Sequence, residues 1–274
     1  MSTPTAQVST ALEGDVWRIS LDAADTGNPV DRVMAEQLGV ALATRPARTR
    51  AVLLLSTGRD FCVGADVRGL AGEADLAGAV RELSRAWHEV IRAVLHSPVP
   101  VVAGVRGQVT GAGIGLVGAC DLVVCGRTTK LHPAYATLGL SPDSGTTWAL
   151  TRALGAPRAL ELLLTDGVLS AADAHTFGLV ARLVDDEELT AVTTALAAQV
   201  AAGPVRSLVR TRGLVRRAAV RTLDEQLDEE SRLIEESAAD PEGREGVAAF
   251  LAGRRPDFRA ADRETRQAGP AGPA

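Results

Sequence analysis

Ala51-Val52-Leu53-Leu54-Leu55 is an unbroken apolar run, and Val99 to Val105 and Leu122-Val123-Val124 repeat the habit further along the chain. Runs this short, without polar alternation, predict strands buried on both faces, as in a parallel sheet covered by helices. Residues 6–21 read instead as two short strands around the turn Glu13-Gly14-Asp15. Between these strands the apolar positions recur with helical spacing. One helix is predicted over roughly 30–44, after the break at Asn28-Pro29, and a longer amphipathic one over about 77–96, ended by Ser97-Pro98. Others start near 111 and run from Thr146 to Leu154, and Ser170-Ala171-Ala172-Asp173 has the form of a capping box opening a short helix.

Strands alternating with helices predict an α/β arrangement of crossover units. Beyond Asp185 the pattern turns almost wholly helical to about Gly253, punctuated by Pro204 and Asp240-Pro241. The chain therefore divides into an α/β core over 1–195, a helical region over 196–260 and a Pro/Gly/Ala-rich tail over 261–274, expected to be disordered.

Composition narrows the function classes. The chain has 274 residues, 46% hydrophobic and 23% charged, which suits one sizeable domain with an appendage. A net charge of −5 leaves no dominant basic face for nucleic acid. A local basic stretch, Arg206, Arg210, Arg212, Arg216 and Arg217, is either a solvated helix face or a contact for phosphates. Cys62, Cys120 and Cys125 are odd in number and lack C-x-x-C spacing, so a reducing cytoplasm is expected. The start MSTPTAQVSTALEGD has neither a basic nor an apolar signal region, and no apolar run reaches the roughly 18 residues of a membrane span.

Two glycine-containing turns carry the candidate chemistry. Arg59-Asp60-Phe61-Cys62-Val63-Gly64-Ala65-Asp66 follows the first buried strand, and Gly107-Gln108-Val109-Thr110-Gly111-Ala112-Gly113-Ile114-Gly115 leads from the second into a helix. Small residues there let a ligand approach backbone N–H groups, or let the turn pack tightly on a neighbour; the residues alone leave both open. No G-K-[ST] follows, and the glycine spacing is not that of a dinucleotide fingerprint.

In order and spacing, Phe61-Cys62-Val63-Gly64-Ala65-Asp66 resembles the F-x-x-G-x-D segment of the crotonase (enoyl-CoA hydratase/isomerase) family. Pro98 to Gly107 with Gly111-Ala112-Gly113 and Cys120-Asp121 resembles its second segment, Leu138 to Gly145 its third, and Glu245 to Leu251 its C-terminal signature. The likeness runs from about residue 8 to 258. It implies a spiral of β-β-α turns followed by a helical region that mediates trimer formation, as a homotrimer or a dimer of trimers. It also implies an acyl-CoA thioester substrate, no cofactor beyond the CoA of that substrate, and no metal. By the same resemblance the N–H groups of Ala65 and Ala112 receive the thioester oxygen. Val63, Gly64, Asp66, Gly111, Gly113, Tyr135 and Leu138 line the substrate site, with Asp66 ordering its own turn.

Family hydratases carry two glutamates, and the matching positions here are Gly115 and Tyr135. The acid that remains is Asp143. On residues alone it could equally cap the helix that follows, but family isomerases that move a double bond carry an acid at this place. The stretch Leu138 to Trp148 is similar to the 1,2-epoxyphenylacetyl-CoA isomerase branch. An enoyl-CoA isomerase using Asp143 is thus the leading expectation. The alternatives are a hydratase or lyase with atypical acid–base groups, and a non-catalytic acyl-CoA-binding subunit. Ser144 lacks a G-x-S-x-G setting, His88, His96 and His175 show no metal-ligand spacing between them, and His132, next to Pro133, reads as a surface or structural residue or as part of the site lining.

Overall fold

The computed structural model describes residues 6–262. Strands β1 (Val8–Glu13) and β2 (Val16–Leu21) form the expected antiparallel hairpin, and helix α1 (Arg32–Ala43) follows, capped by the Asp31 side chain on the Met34 N–H at 2.7 Å. Next come β3 (Ala51–Ser56), a short helix α2 (Val67–Ala71) and the long helix α3 (Leu76–Leu95). Then β4 (Val101–Val105), β5 (Gln108–Thr110) and α4 (Ala112–Ala119) make one unit, and β6 (Leu122–Gly126) with β7 (Lys130–His132) begins another, completed by α5 (Thr146–Leu154) and α6 (Ala156–Leu164). The series continues through β8 (Leu169–Ser170), α7 (Ala171–Thr176) and β9 (Arg182–Val184), and ends in four helices, α8 (Leu189–Ala202), α9 (Val205–Ala218), α10 (Leu223–Ala239) and α11 (Pro241–Leu251).

A six-stranded sheet runs in the order β1-β2-β3-β4-β6-β9, parallel throughout except for the hairpin. Every residue of β3 and β4 is buried, as their unbroken apolar runs predict. Each fully buried leucine there contributes on the order of 1.5–3 kcal/mol. A second sheet, β5-β7-β8, has no counterpart in the pattern of the sequence. Its strands are too short to display the two-residue alternation that marks a half-buried strand. It makes the architecture plain: β4 passes to β5, and β6 to β7, so consecutive turns of the chain lay one strand in each sheet. After β3, Cys62 continues the rule through an isolated parallel bridge to Val109. This is the spiral of β-β-α turns that the resemblance implies.

The chain forms two compact units, one holding residues up to 97 with 101–197, the other 98–100 with the residues from 198 on. In the second, Arg206 and Arg210 pair with Asp240 at 3.4 and 2.5 Å, and the Arg206 N–H donates to Glu242. These two arginines of the basic stretch therefore tie α9 to α10 and α11. Ser170 caps α7 as expected, but Asp173 answers with its side chain on the Ser170 hydroxyl; the complete capping box stands at Thr222 and Glu225 on α10. Residues 258–262 are helical; the rest of the expected tail, 263–274, lies outside the described residues. Among those residues no helix is long and apolar enough to cross a membrane.

Candidate active site

The bridge between Cys62 and Val109 sets the register of the two glycine turns. The Thr110 N–H donates to the Cys62 carbonyl at 2.8 Å, so the segments run side by side. Ala65 and Ala112 each lie three residues beyond the bridged pair, at matching places on neighbouring segments. Gly64 lets the first segment through: its φ is +86°, and a methyl group there would stand 3.0 Å from the Thr110 carbonyl oxygen. Around Ala65, the Val30 N–H donates to Gly64 and the Asp66 N–H donates to Val30, which turns the Ala65 N–H the other way. It has no partner among the described residues. Ala112 is the first residue of α4, where an N–H has no intrahelical acceptor, and it too has no partner among the described residues. Two backbone donors are thus left open where the segments meet, one at the positive end of a helix.

Gly113 brings α4 onto the first segment, since a methyl group there would lie 3.1 Å from the Cys62 carbonyl oxygen. The Cys62 thiol is buried against this contact, and burial pushes its pKa up to about 11, which keeps it a thiol rather than a nucleophile. From behind, the indole Nε1 of buried Trp87 on α3 donates to the Ala112 carbonyl at 3.3 Å. Val63 packs against the turn at Gly27, and its N–H donates to the Gly27 carbonyl. The Asp66 carboxylate accepts the Gly69 N–H at 3.1 Å and caps α2, in keeping with a turn-ordering role.

Asp143 is half-buried, and it does not cap a helix. The N-cap of α5 is Gly145, which has no side chain to offer. Instead Oδ1 of Asp143 accepts the Tyr135 hydroxyl at 3.0 Å and the Ser144 hydroxyl at 2.8 Å. Its Oδ2 has no partner among the described residues. Tyr135 also meets the Thr146 hydroxyl at 3.2 Å, and Thr146 in turn donates to the Gly111 carbonyl at 3.4 Å. That chain links the acid to the residue preceding Ala112. Burial, more than the nearby Asp143 charge, raises the Tyr135 pKa far above the usual phenol range, so it stays a hydrogen-bond donor. Leu138, in the turn after Tyr135, is 47% exposed.

Two details were not visible in the sequence. Ser144 adopts a left-handed backbone, φ +60°, which costs a non-glycine residue about 1–2 kcal/mol. Its N–H donates to Nε2 of His88 on α3 at 3.2 Å. On the opposite side its carbonyl closes over Gly115 so tightly that a methyl group at 115 would run into it. No side chain fits there. Gly115→Ala is expected to destabilise the fold by about 1–3 kcal/mol through overpacking and to push the Asp143 turn outward. A thermal melt by circular dichroism checks this, and an unchanged midpoint would contradict the close approach.

His132 sits in β7 with Nε2 3.2 Å from the Asp166 carboxylate, which also accepts the Thr137 hydroxyl. The Thr137 bond, ahead of His132, holds the Asp166 carboxyl below its usual range. The cluster shapes the loop bearing Tyr135. A cavity of about 870 Å³ lies along α1, α2 and α3, and its lining includes Asp66 but none of Ala65, Ala112, Tyr135 or Asp143. Three of its acids, Asp31, Asp66 and Asp75, are occupied as helix caps.

A family described as enoyl-CoA hydratase/isomerase matches the chain over residues 12–261. The 1,2-epoxyphenylacetyl-CoA isomerase of Escherichia coli (strain K12) is 34% identical over 253 residues, covering 90% of this chain and 96% of that protein. A protein of Rhodobacter capsulatus named "Probable enoyl-CoA hydratase" is 33% identical, covering 88% and 93%. The crystal structure of an enoyl-CoA hydratase from Polaromonas sp. JS666 superposes with a TM-score of 0.85 at 30% identity, covering 91% of this chain and 98% of that one.

Proposed function

We infer the reaction from one premise: the chain belongs to the enoyl-CoA hydratase/isomerase family. Within it, this protein is an enoyl-CoA isomerase that moves a carbon–carbon double bond by proton transfer through Asp143. The observation that carries this reading is the Ser144 carbonyl packed over Gly115. A hydratase of the two-glutamate kind needs a carboxylate at that position, and here there is room for none. Asp143 is left as the acid of the site, with Oδ1 fixed by Tyr135 and Ser144 and Oδ2 open.

The chemistry balances with one carboxylate. Oδ2 of Asp143 removes a proton from the carbon next to the thioester carbonyl or from the carbon beyond the double bond. The electron pair of the broken C–H bond moves through the chain to the carbonyl oxygen. The Ala65 and Ala112 N–H groups receive that negative charge, aided by the positive end of α4. The carboxylic acid then returns the proton at the other carbon, the pair flows back, and the double bond has shifted. Nothing is oxidised and no water is added, so the reaction calls for no cofactor beyond the CoA of the substrate.

The test is incubation of linear and ring-derived enoyl-CoA thioesters in deuterated water, followed by mass spectrometry and product NMR. Exchange at the carbon beside the carbonyl is expected, with a double-bond shift and no mass gain beyond the deuterium taken up. The relatives named as hydratases favour a second reading, water addition, and a product heavier by one water would install it. Failure of every thioester either to exchange or to isomerise would leave an acyl-CoA-binding subunit.

The same reading makes the chain a homotrimer or a dimer of trimers. Phe250 and Leu251 on α11 are 83% and 79% exposed, and Ile234 on α10 is 70% exposed. Apolar side chains so open are expected to be covered by another copy. Sedimentation equilibrium at the mass of a single chain would refute it.

A further inference from the structure

We infer that His88 is a positioning residue, whose imidazole Nε2 accepts the Ser144 N–H and thereby holds the Asp143 carboxylate at the reacting carbons. The inference rests on the reading of Asp143 as the proton carrier.

Its direction is fixed by elementary chemistry. A backbone N–H can only donate, so the nitrogen facing it at 3.2 Å must present a lone pair. In this contact Nε2 is therefore the acceptor, and it is occupied by the Ser144 peptide. A nitrogen engaged in this way is not free to take a proton from substrate. The Ser84 hydroxyl, one turn earlier on α3, lies 3.4 Å from the same atom, a further donor onto it.

What the contact accomplishes follows from the turn it grips. Ser144 sits in the left-handed region, a conformation that persists only where surrounding contacts over-determine it. The Ser144 hydroxyl to Asp143 Oδ1 and the Thr146 N–H to the Asp143 carbonyl are bonds inside the turn, and they move with it. Tyr135 holds the carboxylate from a neighbouring loop. His88 holds the turn from α3, a helix of 20 residues, while Gly115 of α4 closes on the Ser144 carbonyl. The Ser144 residue is thus pinned at both ends, N–H by one helix and C=O by another. The residue before His88 is Trp87, whose indole holds the Ala112 carbonyl. Successive side chains of one helix therefore fix the donor end and the acid end of the site relative to each other.

The test uses the full chain with His88→Phe, which keeps a ring but offers no acceptor, and His88→Gln, whose Oε1 reaches the place of Nε2. In His88→Phe, kcat is expected to fall roughly 10- to 100-fold, the scale of a misplacement of about 1 Å, with KM for the acyl-CoA changed by less than about threefold. His88→Gln should recover most of that loss. Hydrogen exchange of the Ser144 amide, followed by NMR, should be faster in His88→Phe than in the wild type and slow again in His88→Gln. Normal kcat in His88→Phe, or an unchanged Ser144 amide, overturns the proposal. So does a Gln variant as slow as the Phe variant with the amide still protected, which would make the imidazole itself the proton carrier. Full activity of Asp143→Asn in the same assay would instead sink the proton-carrier reading. The amide measurement does not depend on which reaction is catalysed, so the two failures are told apart.

Discussion

Asp143→Asn should lower kcat for double-bond migration by roughly 10²–10⁴-fold, the usual share of a positioned acid–base group, while the affinity for acyl-CoA changes little. Asparagine preserves the shape of the side chain. Its Oδ1 can still accept the Tyr135 and Ser144 hydroxyls that hold the carboxylate at 3.0 and 2.8 Å. The turn therefore keeps its conformation, and the unfolding midpoint should stay near that of the wild type. What is lost is the second oxygen, replaced by an amide nitrogen that has no lone pair to receive a proton. Single-turnover kinetics beside isothermal titration with an unreactive acyl-CoA separate the two effects. A variant that turns over at a near-normal rate would remove Asp143 from the mechanism, and one that loses binding would recast it as a substrate contact.

Ala112→Pro should cost about 10²–10³ in kcat, or roughly 2.7–4 kcal/mol, the penalty for deleting one preorganised donor to a developing oxyanion. Proline is chosen because Ala112 is the first residue of α4. At that position a missing N–H breaks no helical bond, and the fixed φ of proline suits the helix start. The preceding residue is Gly111, which lacks the Cβ that would otherwise crowd the proline ring. Cδ of that ring takes the place of the N–H, so the substrate oxygen meets carbon where it met a donor. Ala112→Gly keeps the N–H and serves as the matched control, with activity within a few-fold of the wild type. Near-UV circular dichroism verifies the fold of both. If Ala112→Pro folds and turns over normally, the oxyanion is not bound at α4.

Much of the architecture is legible in the sequence. The buried runs at β3 and β4, the hairpin around Gly14, the long helix α3 and the helical end of the chain all followed from apolar spacing and turn residues. Asp31 and Asp75 cap α1 and α3, but in the sequence an aspartate before a helix is common enough to be ambiguous. The short strands β5 and β7 escaped, since three residues carry no periodicity. Their loss mattered: Val109 of β5 bridges Cys62, and that register is what brings Ala65 level with Ala112. For Asp143, sequence left a helix cap and a catalytic acid equally open, and the structure removed the first by giving the cap of α5 to Gly145.

By itself, then, the sequence determined the longer elements and the family, because periodicity, capping and motif spacing are properties of neighbouring residues. The tertiary structure alone decided how the acid is held. His88 lies 56 residues from Ser144, and no local signal marks that distance as a contact. The closure over Gly115 depends on the same turn, and that turn depends on Ser144 in a left-handed conformation, as the loop before it depends on Ala134 at φ +56°. Sequence announces such bends where it places glycine, or less often asparagine. Serine and alanine give no such notice. They are held there by packing and hydrogen bonds from other parts of the spiral, so the bends, and the site they build, exist only once those parts have come together.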